Sequence, residues 1–271
     1  MRHPGRRLLP LSVSLSARLE TLRASGRRAL VCYVTAGHPD RAASLRLLRE
    51  LPAAGADVIE VGVPFSDPLA DGPIIQRSSQ RALDQGMTLA GTLSLIAEAR
   101  SSVPIVLFSY LNPLMAAGPD VLHVAARSGV HGVLVTDLPV GADPEREAWL
   151  GASPVEFVRL VAPTTPLERM AEIVQHGRGF VYLISRLGVT GVQDAVATDL
   201  PETLERLRSV CTLPICVGFG ISRPEHARQV GALADGIVVG SALVRAAETS
   251  VDDALALVRS LRAALDAVVP A

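Results

Sequence analysis

Eight short apolar segments rich in β-branched residues alternate with helix-like stretches along this 271-residue chain, and no linker, charge block or low-complexity segment divides them. These observations predict an α/β fold of one domain: a single (β/α)8 barrel of the TIM type over residues 14–271, with an extra N-terminal helix. An open doubly wound sheet normally carries a glycine-rich fingerprint after its first strand, and Tyr33-Val34-Thr35-Ala36-Gly37-His38-Pro39 is not one.

Taken in order, residues 1–13 read as a disordered Arg-rich tail and residues 14–24 as the extra helix. Strands are expected over 29–35, 57–63, 104–110, 132–137, 155–162, 179–185, 214–220 and 236–240, where apolar runs are bounded by Gly, Pro or Asp. Helical periodicity is expected over 40–52, 88–101, 119–128, 165–176, 198–210, 223–230 and 251–269. In such a barrel the active site lies at the carboxyl ends of the strands. The unusual residues fall there: strand one runs into Thr35 and Gly37, strand three ends at Tyr110 and Asn112, strand four ends at Asp137, and strand six holds Tyr182.

Composition excludes several functions. A formal net charge of −1 and 3% aromatic residues leave neither a positive field nor stacking platforms for a nucleic acid. No apolar run approaches the ~20 residues of a membrane span, and the Arg-rich start lacks the apolar core of a secretory signal. Cys32, Cys211 and Cys216 match no metal or redox spacing and read as reduced core residues of a cytoplasmic protein. The histidines are scattered, so no metal is expected. All 26 basic residues are arginine, which removes Schiff-base catalysis and a lysine-held pyridoxal cofactor.

Residues 58–73 carry the strongest chemical signal. Glu60 interrupts a buried-strand pattern, and a Pro/Gly-rich loop with Asp67 and Asp71 follows at once. Burial disfavours the ionised carboxyl and raises its pKa toward the range of a general acid/base. The alternative is a structural glutamate paired with an arginine. Period-two alternation puts Val58, Glu60 and Gly62 on one face, with the small Gly62 expected to leave room beside the carboxylate.

Glycines at the ends of strands seven and eight, in Gly218-Phe219-Gly220-Ile221-Ser222 and Gly240-Ser241, let backbone amides approach an anion, and Gly188, Thr190 and Gly191 are placed to complete a phosphate cradle. With no lysine and no metal cluster, carbon–carbon cleavage beside a phosphate tail needs a substrate that supplies its own electron sink. An indole ring protonated at C3 by Glu60 would serve, with Asp71 on the ring N–H; isomerisation of a sugar phosphate fits these residues almost as well.

Over residues 15–268 the chain resembles the tryptophan synthase alpha subunit family. The motifs that carry the resemblance are Tyr33-Val34-Thr35-Ala36-Gly37, residues 58–76, Tyr110-Leu111-Asn112-Pro113, Asp137-Leu138-Pro139, and residues 160–166, 185–191, 218–222 and 236–244. The resemblance implies a lyase of tryptophan biosynthesis that cleaves indole-3-glycerol phosphate to indole and glyceraldehyde 3-phosphate with no cofactor of its own. It implies Glu60 as acid/base and Asp71 on the indole nitrogen, with Tyr33, Tyr110, Tyr182 and Thr190 lining the substrate site. Phosphate contacts are implied at Gly191, Phe219, Gly220, Gly240 and Ser241, and loops 66–72 and 187–194 are expected to close over substrate. The family docks on a pyridoxal-phosphate beta subunit, as a heterotetramer of two alpha and two beta subunits, through positions matched here by Pro64, Asp67, Asn112 and Pro139. The chain departs from the usual family pattern at Cys32, Leu187 and Val140-Gly141-Ala142. A stand-alone indole-releasing lyase and a non-catalytic barrel that activates a partner are the alternatives; the presence of both Glu60 and Asp71 argues against the second.

Overall fold

The computed structural model describes residues 14–184, 199–218 and 220–268; the expected tail, residues 1–13, and loop 187–194 lie outside them. In chain order the elements are α1 (Leu15–Ala24), β1 (Ala29–Thr35), α2 (Arg41–Ala54), β2 (Val58–Gly62), α3 (Pro73–Asp84), α4 (Leu89–Ala99), β3 (Ile105–Ser109), α5 (Leu111–Ala116), α6 (Val121–Arg127) and β4 (Gly132–Val135). They continue as α7 (Pro144–Gly151), β5 (Glu156–Val161), α8 (Leu167–Gln175), β6 (Val181–Ile184), α9 (Leu200–Arg208), β7 (Ile215–Gly218), α10 (Pro224–Gly231), β8 (Gly236–Val239), α11 (Ser241–Thr249) and α12 (Val251–Asp266). The strands close into a barrel in sequence order, and every neighbouring pair, β8 with β1 included, is parallel.

Each expected strand is present, shorter by a residue or two at most where the polar loop begins. Strand β4 stops at Val135, which places Asp137 on the loop beyond it. Helices α3, α5, α7 and α11 add to those named from periodicity. They start directly at site loops, two of them at a proline whose fixed φ suits a first helical turn. Side-chain caps start α2 and α4: Asp40 accepts from the Ala43 amide at 2.8 Å and Thr88 from the Gly91 amide at 3.1 Å.

Period-two alternation divides the strand side chains into two cores. Leu30, Cys32, Ile59, Val61, Leu107 and Val133 face outward into the helical layer. Val31, Val58, Val106, Leu134, Val158, Cys216 and Val238 fill the barrel, where α1 joins them through Leu15, Leu19 and Leu22. The extra helix is therefore the floor of the barrel. A Cβ on Gly132 or Gly179 would stand 2.8 or 2.6 Å from Leu15 Cδ2, so glycine at both positions lets α1 seat.

Ionic contacts fasten this floor. The Glu156 carboxylate accepts from the Ser16 amide and hydroxyl at the first turn of α1. Buried Asp57 accepts from the Leu30 amide at 3.0 Å, from Arg18 at 2.6 Å and from Arg262 of α12 at 3.1 Å. Gly55, left-handed at φ 114°, ends α2 where a Cβ would meet Arg262 Cγ at 2.5 Å. Removing a partner from a buried carboxylate is costly because the charge stays behind. Arg262→Met is expected to destabilise the fold by about 3 kcal/mol, read from urea denaturation; a loss below about 0.5 kcal/mol would show that the fold does not need this pair.

Candidate active site

Two carboxylates stand three residues apart on one chain segment, both about 1% exposed, and their surroundings differ completely. Asp57, at the floor, is saturated by an amide and two guanidinium groups. Glu60, one layer higher on β2, has no ion pair among the described residues, and its Oε1 has no hydrogen-bond partner. Among the described residues no arginine pairs with it, which argues against the structural-glutamate alternative. Desolvation alone pushes the Glu60 carboxyl from 4.5 up to about 8. The group is a neutral acid at neutral pH, facing the barrel interior.

Parallel pairing sets Tyr33 on β1 opposite Glu60, with Val106 of β3 on its other side. The Tyr33 hydroxyl occupies the space over Gly62, where a Cβ would fall 2.1 Å from it. The room expected beside Glu60 is thus filled by the tyrosine and not left open, because the inner-face positions of adjacent strands are staggered. The same arrangement recurs across the barrel. Tyr182 of β6 lays its hydroxyl over Gly218 of β7, 2.2 Å from where a Cβ would be. Burial raises the pKa of both phenols, and the charges of Glu60 and Asp71 raise each further. Tyr33, Glu60, Asp71 and Tyr182 are therefore close enough for the two carboxylates to act on both phenols.

Asp71 is brought there by the loop between β2 and α3, and Tyr110 holds that loop. The Tyr110 hydroxyl donates to Asp71 Oδ2 at 3.0 Å and accepts from the Ala70 amide at 2.9 Å, while its ring lies 5.1 Å from Phe65. Gln76 Nε2 of α3 donates to the Asp71 carbonyl at 2.9 Å. Burial raises the Asp71 carboxyl to about 6, against the opposing pull of the Tyr110 hydrogen bond. The described geometry makes Tyr110 the brace of this loop. Gln76 was not singled out in the sequence, where a glutamine on an exposed helix face carries no signal.

After β8, two strands from β2 around the barrel, Gly240 forms the N-cap of the nine-residue helix α11, so the leading amides of α11, including that of Ser241, lack intrahelical partners. Gly220, left-handed at φ 80°, lies in the adjoining loop after β7. Thr190, Gly191 and Phe219 lie outside the described residues, as does Gly188. A Cβ built on Gly240 would lie 3.7 Å from Tyr33 Cβ, which sets the start of α11 beside the Tyr33 side chain. Among the described residues no group of three or more His, Cys, Asp and Glu side chains is arranged to hold a metal ion.

Of the residues expected to face a partner, Asp67, Asn112 and Pro139 are exposed and Pro64 is buried at the root of the loop. Apolar side chains accompany them, Leu69 at 83% exposure and Met115 at 42%. Asp137 accepts from the Leu111 amide at 2.7 Å and so ties the loops after β3 and β4 together.

The family model described as tryptophan synthase alpha chain matches residues 19–268. The tryptophan synthase alpha chain of Caulobacter vibrioides is 47% identical over 241 residues, 87% of each chain. That of Desulfatibacillum aliphaticivorans is 44% identical over 237 residues, 86% of this chain and 89% of the relative. Among solved structures, the alpha subunit from Legionella pneumophila superposes with a TM-score of 0.85 at 33% identity, covering 94% of this chain and 98% of that one. A ligand-free tryptophan synthase chain from M. tuberculosis superposes with a TM-score of 0.84 at 33% identity, covering 93% and 98%.

A carboxyl whose folded pKa lies above its unfolded value withdraws stability as pH rises between the two. For Glu60 that window runs from 4.5 to about 8. Glu60→Gln removes the penalty, so the variant is expected to match wild type near pH 4.5 and to exceed it by a few kcal/mol, at about 1.4 kcal/mol per pKa unit, above about pH 8. Urea denaturation at both pH values checks this; a stability difference independent of pH would mean that the carboxyl titrates normally.

Proposed function

The chain belongs to the tryptophan synthase alpha chain family, whose reaction is cleavage of indole-3-glycerol phosphate to indole in tryptophan biosynthesis, and on that premise we propose that Glu60 transfers the protons and Asp71 steadies the ring. Neutral Glu60 donates to indole C3, which leaves a cationic N–H in the ring. The Asp71 carboxylate pairs with that N–H and offsets the positive charge in a water-poor chamber. The bond from C3 to the glycerol carbon then breaks. Its electron pair returns to the ring, and the hydroxyl on the departing carbon becomes the aldehyde of glyceraldehyde 3-phosphate. The hydroxyl proton goes to Glu60, which after the first transfer is a carboxylate held in an apolar wall and hence a strong base. Protons balance, and the acid is regenerated.

The observation that carries this reading is the buried carboxyl of Glu60, whose Oε1 has no hydrogen-bond partner among the described residues. Phosphate binding at Gly240, Ser241 and Gly220, together with Thr190, Gly191 and Phe219, fits a substrate whose tail reaches from the carboxylates to the α11 amides. Tyr182 and Tyr33 supply the walls of the ring site. Pyridoxal chemistry belongs to the beta subunit with which this family pairs. The exposed Leu69 and Met115 beside Asp67 and Asn112 give that subunit an apolar seat on the rim, in a heterotetramer of two alpha and two beta chains. Among the described residues no helix is long and apolar enough to cross a membrane, and the three buried thiols are unpaired. Both suit an enzyme of the cytoplasm.

Catalysis in this scheme needs Asp71 ionised and Glu60 protonated. Indole release, kcat/KM, is therefore expected to fall below about pH 6 as Asp71 gains its proton and above about pH 8 as Glu60 loses its own. Glu60→Gln should lower kcat by about a thousandfold, with and without a beta subunit present. Wild-type turnover in the variant would remove Glu60 from the chemistry, and an inactive wild type in both settings would remove the lyase reading itself.

A further inference from the structure

Behind Tyr33 lies a buried chain of hydroxyls that the proton-transfer scheme does not use. Thr35 Oγ1 is 3.4 Å from the Tyr33 hydroxyl and 2.7 Å from Ser78 Oγ, and Ser78 donates to the Ile75 carbonyl at 2.8 Å. Thr35 is 1% exposed and Ser78 fully buried. Ser78 sits on the apolar stripe of α3 with Ile75, Ser79 and Ala82, where the carbonyl of Ile75 alone would satisfy a helical serine. The contact to Thr35 is additional, and it joins the helix to the inner face of β1.

That link ends on a side chain at a junction. The Tyr33 ring packs against Ile75 of α3 and Val244 of α11, and meets Phe108 edge-on at 5.2 Å. Its Cα is in register with Glu60, and its hydroxyl fills the slot over Gly62. The ring is thus part of the apolar wall beside the unpartnered carboxyl, and helix α3 follows directly from the loop that carries Asp71.

We propose that Ser78 is a positioning residue for the proton donor: through Thr35 it fixes the Tyr33 hydroxyl over Gly62, and so sets the wall beside Glu60 from the helix that carries the Asp71 loop. The proposal rests on the reading of Glu60 as that donor. It makes the seating of α3 and the dryness of the Glu60 site a single structural event. Deleting the Ser78 hydroxyl frees Tyr33 to leave its slot, admits water to the carboxyl and weakens the acid's match to its task.

The test is steady-state indole formation across pH by wild type, Ser78→Ala, Tyr33→Phe and the double variant, with far-UV circular dichroism and thermal midpoint recorded for each. Ser78→Ala is expected to lower kcat by about fivefold, keep KM within about twofold, and move the alkaline limb to lower pH by about half a unit. In the Tyr33→Phe background the same substitution should cost nothing more, because the hydroxyl that it positions is gone. Thr35→Val should reproduce Ser78→Ala, and Thr35→Ser should retain wild-type behaviour. An equal loss in the Tyr33 and Tyr33→Phe backgrounds, or a wild-type kcat and alkaline limb in Ser78→Ala, overturns the proposal. Wild-type kcat in Glu60→Gln would instead fail the reading beneath it, whatever Ser78 does.

Discussion

A buried ionisable group with no ion pair among the described residues is the constraint around which this barrel is arranged. The Glu60 carboxyl is held where its charged form is unfavourable, and burial pushes its pKa up to about 8. Asp57 shows that the fold can satisfy a buried carboxylate when it needs one, since an amide, Arg18 and Arg262 surround it only three residues away. Residues 57–60 therefore carry a structural charge at the floor and, above it on β2, the carboxyl proposed as the acid. The difference lies in the neighbours and not in the residue type. Stability sacrificed at Glu60 is compatible with folding because the floor is so firmly tied by α1, Glu156 and the Asp57 contacts.

Around that acid the wall is built from tyrosines laid over glycines. Tyr33 over Gly62 and Tyr182 over Gly218 narrow the mouth of the barrel from opposite sides, and each pair requires the absence of a Cβ on the next strand. The second carboxylate arrives on a loop braced by Tyr110 and Gln76. Gly240 and the first amides of α11 are the proposed seat for a phosphate, and Val244 of the same helix packs on Tyr33. The proposed acid, ring partner and anion seat are thus linked through the packing of Tyr33 with Ile75 and Val244.

Much of this was legible in the sequence for definite physical reasons. Strands buried on both faces are continuous apolar runs, so all eight could be read directly, and a carboxylate inside one of them is conspicuous. The presence of arginine as the sole basic side chain bounded the chemistry before any fold was known. Helices α3, α5, α7 and α11 were less visible because they are short or begin in Pro- and Gly-rich loops, where local signals favour turns. The fit of Tyr33 over Gly62 was misjudged, as alternation along one strand says nothing about the stagger of the next. Ser78 and Gln76 were missed because a hydroxyl in an apolar stripe and an amide on a helix surface acquire meaning only when tertiary contacts appear.

Direct titration of the Glu60 carboxyl, by isotope-edited infrared spectroscopy with Glu60→Gln as the blank, tests the central claim most closely. The protonated carbonyl band should persist at neutral pH and vanish with a midpoint near 8. A band already lost at about pH 6, with a midpoint near the ordinary 4.5, would contradict it, because the wall would then be wet and the acid no longer poised to protonate carbon.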